Sequence, residues 1–225
     1  MLNLCKYFGN YFGIQSFRYI FALEFKIMKE KIIQNAKDMF LKLGFKSITM
    51  DDIACEMCIS KKTIYKYFAN KELLVAESTV LLQKEVHQIL SEIMAKNHNA
   101  IEENFQIRRM FGEMFKSTDT SPIYQLKKHY PSVYKQVLEY QIQECETCFT
   151  DNIQKGIKQG LYRNDIKISI YVKFYYALIL NITENTVFEK EAQKLELEAL
   201  EYHIRAMATE NGIAELEKQL LNYTL

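Results

Sequence analysis

Residues 49–71 read TMDDIACEMCISKKTIYKYFANK, and they place a capped short helix, a tight turn and a second capped helix in direct succession. Thr49 can cap the first helix, with Asp52 three residues on completing a capping-box spacing, while Ile53, Ala54 and Met57 give that helix one apolar side. Cys58 and Ile59 make the turn, and Ser60 is a natural N-cap for the helix that follows. There Ile64 and Phe68 lie four apart and face inward, which leaves Lys61, Lys62, Thr63, Tyr65, Lys66 and Tyr67 on or around the outer surface. Hydroxyls, phenols and ammonium groups are the chemistries that meet phosphates and base edges, so the pattern implies a helix-turn-helix that reads DNA.

Working outward, SITMDDIACEMCISKKTIYKYFANKELL resembles the N-terminal signature of the TetR family of one-component transcriptional regulators. The match includes the threonine before the first helix, Asp52-Ile53-Ala54, the serine cap, Thr63-Ile64-Tyr65 with Tyr67-Phe68, and the Asn70-Lys71-Glu72 that opens a long helix. Two positions depart from the family: Cys58 stands where a glycine is usual, and Lys62 where a glycine or proline is frequent. The resemblance implies DNA contacts from Thr49, Lys61, Lys62, Thr63, Tyr65, Tyr67 and Lys71. It also implies a homodimer on double-stranded operator DNA and a small-molecule effector held by the C-terminal body.

Composition agrees with an all-α chain. There are only two prolines and seven glycines in 225 residues, and no run of alternating β-branched residues. With 48% hydrophobic residues the chain can bury a sizeable core. The formal net charge is only +1, so DNA binding has to come from a local patch. Lys61, Lys62, Lys66 and Lys71 supply one, within a segment that contains no acid.

From Met28 the apolar positions Ile32, Ala36, Phe40 and Leu43 form a stripe closed by Gly44. Asn70 caps a helix running to about Ala95, and five further helices are expected: around Ile101–Phe115, from Pro131 to Gly160, from a cap at Asn164 or Asp165 through Phe188, over LELEALEYHIRAMAT, and a short last one. The chain thus divides into an N-terminal extension (1–27), a three-helix helix-turn-helix head (28–75), and an effector-binding and dimerisation body (76–225). The extension is rich in Phe and Tyr and reads either as an over-long start before Met28 or as an extra aromatic helix. Polar and charged residues interrupt it, so neither a signal peptide nor a membrane span is expected there. Ile170–Ile182 is apolar almost all the way round and calls for cover on a second side, which in this family a partner subunit provides.

Cys55-x-x-Cys58 and Cys145-x-x-Cys148 raise a zinc or redox pair, but their separation suits no zinc ribbon. Both pairs fall in expected helices, where cysteine packs as a small apolar group, and Asp51, Asp52 and Glu56 would oppose a thiolate near the first pair. No metal or cofactor is therefore expected, and a thiol- or metal-responsive regulator using the same head is the alternative. Without secretory signals, five cysteines fit a reducing cytoplasm. The four histidines (His87, His98, His129, His203) are scattered and there is no phosphate-cradling glycine loop, so no catalytic constellation is expected. A third reading is an interaction protein led by its aromatic N-terminal segment.

Overall fold

A computed structural model describes the backbone of residues 4–223 and the side chains of residues 19–223. The described residues form ten helices: α1 (Leu4–Leu43), α2 (Met50–Glu56), α3 (Lys61–Tyr65), α4 (Lys71–Met94), α5 (Ala100–Met114), α6 (Pro122–His129), α7 (Pro131–Lys158), α8 (Ile168–Asn185), α9 (Glu189–Met207) and α10 (Glu210–Leu221). Two isolated bridges, Thr120 to Phe188 and Tyr162 to Ala208, are the extended pairings recorded among them. No described helix is long and apolar enough to cross a membrane.

Helix α1 runs through Met28 without a break. No capping side chain precedes Met28, since Ile27 stands there, and no proline interrupts the run, so nothing in the local sequence starts a helix at that point. It ends where the stripe ends, at Gly44, whose φ of +91° suits glycine. Of the segment read as an aromatic extension, residues 1–18 lie outside the described side chains. In the rest, Tyr19, Ile20, Phe21, Leu23, Phe25 and Ile27 are exposed.

Two apolar cores organise the chain. The first joins Ile32, Ala36 and Phe40 of α1 to Ile53, Ile64, Phe68 and Leu74, and it is completed by Leu126, Val133 and Val137 from α6 and α7. The second collects Ile101, Phe105, Ile153, Tyr162, Tyr175, Leu200, Ile204 and Leu216 from α5 and α7–α10. Gly156 makes this second core possible, because a Cβ there would sit 2.0 Å from the Tyr162 ring.

Three helix limits differ from the sequence expectation, each because a distant partner takes the backbone. First, α8 starts after Lys167 with no side-chain cap, not at Asn164 or Asp165. Asp165 faces Arg163 at 3.7 Å, and the Arg163 N–H donates to the Met207 carbonyl at 2.8 Å, which keeps this link extended. Second, α8 stops at Asn185 rather than Phe188: the Ser121 N–H donates to the Val187 carbonyl and the Glu189 N–H to the Asp119 carbonyl, both at 2.9 Å. Third, α9 begins at Glu189, well before LELEAL, while the short α6 follows the turn at Ser121-Pro122.

The apolar helix is only partly covered. Val172 and Tyr175 are buried and Ile179 and Ile182 pack against the second core, but Ile170, Phe174 and Leu178 of α8 are exposed, as are Leu195 and Tyr202 of α9.

Candidate nucleic-acid interface

The head is set by its caps. The Asp52 N–H donates to Thr49 Oγ1 at 3.2 Å, while the Thr49 N–H and hydroxyl both donate to Asp52 Oδ2 at 2.8 Å, a complete capping box. Those bonds from Thr49 hold the Asp52 carboxyl below its usual range. At the start of α3 the Thr63 N–H donates to Ser60 Oγ at 3.1 Å. At the start of α4 the Leu73 N–H donates to Asn70 Oδ1 at 2.9 Å. Ile53, Ala54, Ile64 and Phe68 are buried, so the two short helices are locked by one apolar seam.

The residues read from sequence as DNA contacts take different places. Lys62 and Tyr65 are exposed on the outer face of α3, as is Lys66 just beyond it, and Thr63 is half-buried beside the Ser60 cap. Thr49 gives its hydroxyl to the capping box. Lys61 is exposed but its Nζ lies 2.7 Å from Asp51 Oδ2, so the segment that is acid-free in sequence gains an acid from α2 in space. Among the described residues, Lys61 is the one α3 lysine held by a carboxylate.

Tyr67 and Lys71 turn away from the outer surface. The Tyr67 ring packs on Phe25 of α1 with centroids 4.3 Å apart, giving its face to the protein. Lys71 Nζ donates to the Lys46 carbonyl at 3.2 Å and sits over the Phe40 and Tyr130 rings at 5.8 and 5.7 Å. Burial lowers its pKa. Lys71 thereby ties α4 to the link between α1 and α2.

Residues from beyond the head gather near it in a way the sequence did not signal. His129 is held below its ordinary pKa by partial burial and by the positive charges of Lys46, Lys128 and Lys71. These charges reach His129 from three segments: the link before α2, the start of α4 and the end of α6. The same end of α6 reaches the head backbone: the Phe45 N–H donates to Gln125 Oε1 at 2.8 Å, and the Tyr130 hydroxyl donates to the Phe45 carbonyl at 3.2 Å.

The cysteine expectation needs correction. Cys55 and Cys58 are exposed rather than packed, and Cys58 lies beyond α2 with φ of +53°; Cys145 and Cys148 are half-buried on α7. Burial pushes the Cys145 thiol up to about 12, aided by Cys148 and Glu144.

In the body, Arg108 of α5 pairs with Glu196 of α9 in the interior. Burial opposes the Arg108 charge, but Glu196 and the neighbouring Tyr175 outweigh it and hold the guanidinium ionised. His203 stacks on Tyr175 with centroids 4.3 Å apart, and burial pushes it down to about 4. A surface hollow lined by Asn99, Gln159, Leu161, Asn211 and Glu215 lies apart from this cluster.

Comparison with known proteins agrees with this geometry. Residues 32–77 match the family model described as bacterial regulatory proteins, tetR family. The chain is 25% identical over 171 residues to IcaR of Staphylococcus epidermidis, the negative transcriptional regulator of the biofilm operon icaADBC, covering 72% of this chain and 83% of IcaR. Its fold matches a transcriptional regulator from Cytophaga hutchinsonii with a TM-score of 0.65 at 18% identity, covering 80% of this chain and 98% of that one. It also matches Thermus thermophilus FadR, a TetR-family repressor in complex with lauroyl-CoA, with a TM-score of 0.51 at 18% identity over 79% and 91% of the two chains. Residues 32–77 are thus a helix-turn-helix head of the tetR type, and the chain as a whole is similar in sequence and fold to transcriptional regulators that carry this head.

Proposed function

We propose that this protein is a cytoplasmic repressor that binds operator DNA as a homodimer and is released by a small molecule held in the body. Residues 28–75 are the reader and 76–225 the effector and assembly unit. The observation that carries the DNA part is the outward set Lys62, Tyr65 and Lys66 on and just beyond a recognition helix that Ser60 caps at its start and that α4, capped by Asn70, follows. Thr63 joins it at the edge, and Lys61 joins it once Asp51 yields to phosphate. Thr49, Tyr67 and Lys71 act from behind, by fixing the angle at which α3 is offered. The repressor reading follows the negative regulatory role of IcaR.

The exposed apolar residues Ile170, Phe174, Leu178, Leu195 and Tyr202 support assembly through α8 and α9. A twofold dimer places two heads on successive major grooves, roughly 34 Å apart. FadR holds lauroyl-CoA, and by that likeness the reading gives the body of this chain an effector, with the buried Arg108–Glu196 pair as a candidate polar partner. Release then works by population shift: the effector favours a body in which α6 no longer holds Phe45 through Gln125, and the heads lose register. The deciding experiment is to sequence genomic duplexes retained by the purified protein and titrate the recovered sequence at several salt concentrations. A steep salt dependence and a twofold-symmetric motif are expected, and equal affinity for all duplexes would overturn the reading.

A further inference from the structure

The last turn of α2 and the turn that follows it hold two exposed thiols, Cys55 and Cys58, and the Cys58 backbone is one that a glycine would suit better. The Ile59 N–H donates to the Ala54 carbonyl and the Cys58 N–H to the Cys55 carbonyl, both at 3.0 Å. That pair of bonds is a Schellman ending, in which the residue after the cap is left-handed and is usually glycine. Here it is Cys58, the one non-glycine residue with positive φ among the described residues, at a cost of about 1 kcal/mol. The Cys58-to-Cys55 bond closes a turn whose Cα ends lie within about 7 Å, inside the reach of a disulfide. Two of the carboxylates beside the pair are engaged elsewhere, Asp51 with Lys61 and Asp52 with Thr49.

We propose that Cys55 and Cys58 form a dithiol switch in the reader, whose oxidation to a disulfide lowers DNA affinity. The proposal rests on α3 being the DNA-reading helix. The oxidant is a peroxide. One thiolate attacks a peroxide oxygen, giving a sulfenic acid and releasing hydroxide. The second thiol then attacks the sulfenic sulfur, so two thiols and one hydrogen peroxide become one disulfide and two waters. Bringing the sulfurs to bonding distance, about 2 Å, fixes both Cβ positions and turns the Cys58 backbone. Ile59 and Ser60 follow directly in the chain, and Ser60 caps α3. The disulfide therefore re-aims the helix that carries Lys62 and Tyr65. The pair on α7 is an internal control, because its burial keeps Cys145 a thiol.

The test is a peroxide titration of the reduced full-length protein, read by peptide mass mapping and by fluorescence anisotropy on the recovered duplex. Cys55→Ser and Cys58→Gly are run beside it, glycine being at ease in the left-handed turn. A Cys55–Cys58 disulfide should form while Cys145 and Cys148 stay reduced. Affinity should fall on the order of tenfold or more, the weight of one good base contact, and return with dithiothreitol. Both variants should keep their affinity in peroxide. A pair that stays reduced, a disulfide that leaves affinity unchanged, or a loss that persists in both variants would each overturn the switch alone. A reduced protein that holds no duplex overturns the DNA-reading assignment and the switch with it.

Discussion

Gln125 Oε1 accepts the Phe45 N–H at 2.8 Å, a buried hydrogen bond between α6 and the link that leads into α2. Phe45 is 2% exposed, so its N–H has no water to turn to. Gln125→Leu should destabilise the protein by about 1–3 kcal/mol in urea titrations, the cost of an orphaned buried donor. The same variant should blunt the loss of operator binding when effector is added. An unaltered effector response would remove Gln125 from the coupling route.

Lysines in and beside α3 should separate by mechanism. Lys62→Ala should weaken duplex binding and reduce the slope of log affinity against log salt by about 1, as expected for one lost phosphate contact. Tyr65→Ala should cost about 1–3 kcal/mol in binding. Lys61→Ala should change the slope less, because Asp51 already sits against that ammonium. Lys71→Ala should show mainly as a lower unfolding midpoint, since its ammonium holds the Lys46 carbonyl. Equal salt slopes for the Lys61 and Lys62 variants would refute this division.

Assembly should fail when charge enters the exposed stripe. Phe174, at 67% exposure, is the sharper probe than Ile179, which packs on its own core. Phe174→Glu should place an unpaired carboxylate in the subunit contact at a cost on the order of several kcal/mol. Sedimentation velocity should then report monomer with native circular dichroism. A well-folded dimer would move the interface elsewhere.

Stability should carry two opposing pH slopes. Burial raises Glu189 to about 7 from an unfolded value of 4.5, so its contribution is full below 4.5 and is lost as pH rises through 7. Burial lowers His203 to about 4 from 6.5, so its contribution is full above 6.5 and is lost as pH falls through 4. Each amounts to ~3 kcal/mol at most, and across pH 4.5–6.5 they offset one another. Glu189→Gln should therefore become less stable on acidification over that window, and His203→Gln less stable on alkalinisation. Denaturant midpoints measured across pH 4–8 check both signs.

What could be read from sequence was local. The caps at Thr49, Ser60 and Asn70 each bind a backbone N–H three residues on, so their spacing alone carries them. Gly44 and Gly160 end α1 and α7 for the same reason. What sequence missed depends on residues far apart. Asp51 meets Lys61 across the turn, Phe25 meets Tyr67 across the head, and Lys71 folds back onto Lys46. An outward helical position says nothing about which neighbour will claim the side chain. The ends of α8 were missed likewise, because Met207 and Ser121 take the backbone groups that would have continued the helix.

Phe25 lies three residues before Met28, yet its ring is the surface on which Tyr67 rests. A polypeptide initiated at Met28 would keep every residue of the recognition helix but leave the Tyr67 face bare to water or to a phosphate. Residues ahead of Met28 therefore help to shape the reader without belonging to it, because they decide which face of Tyr67 is covered.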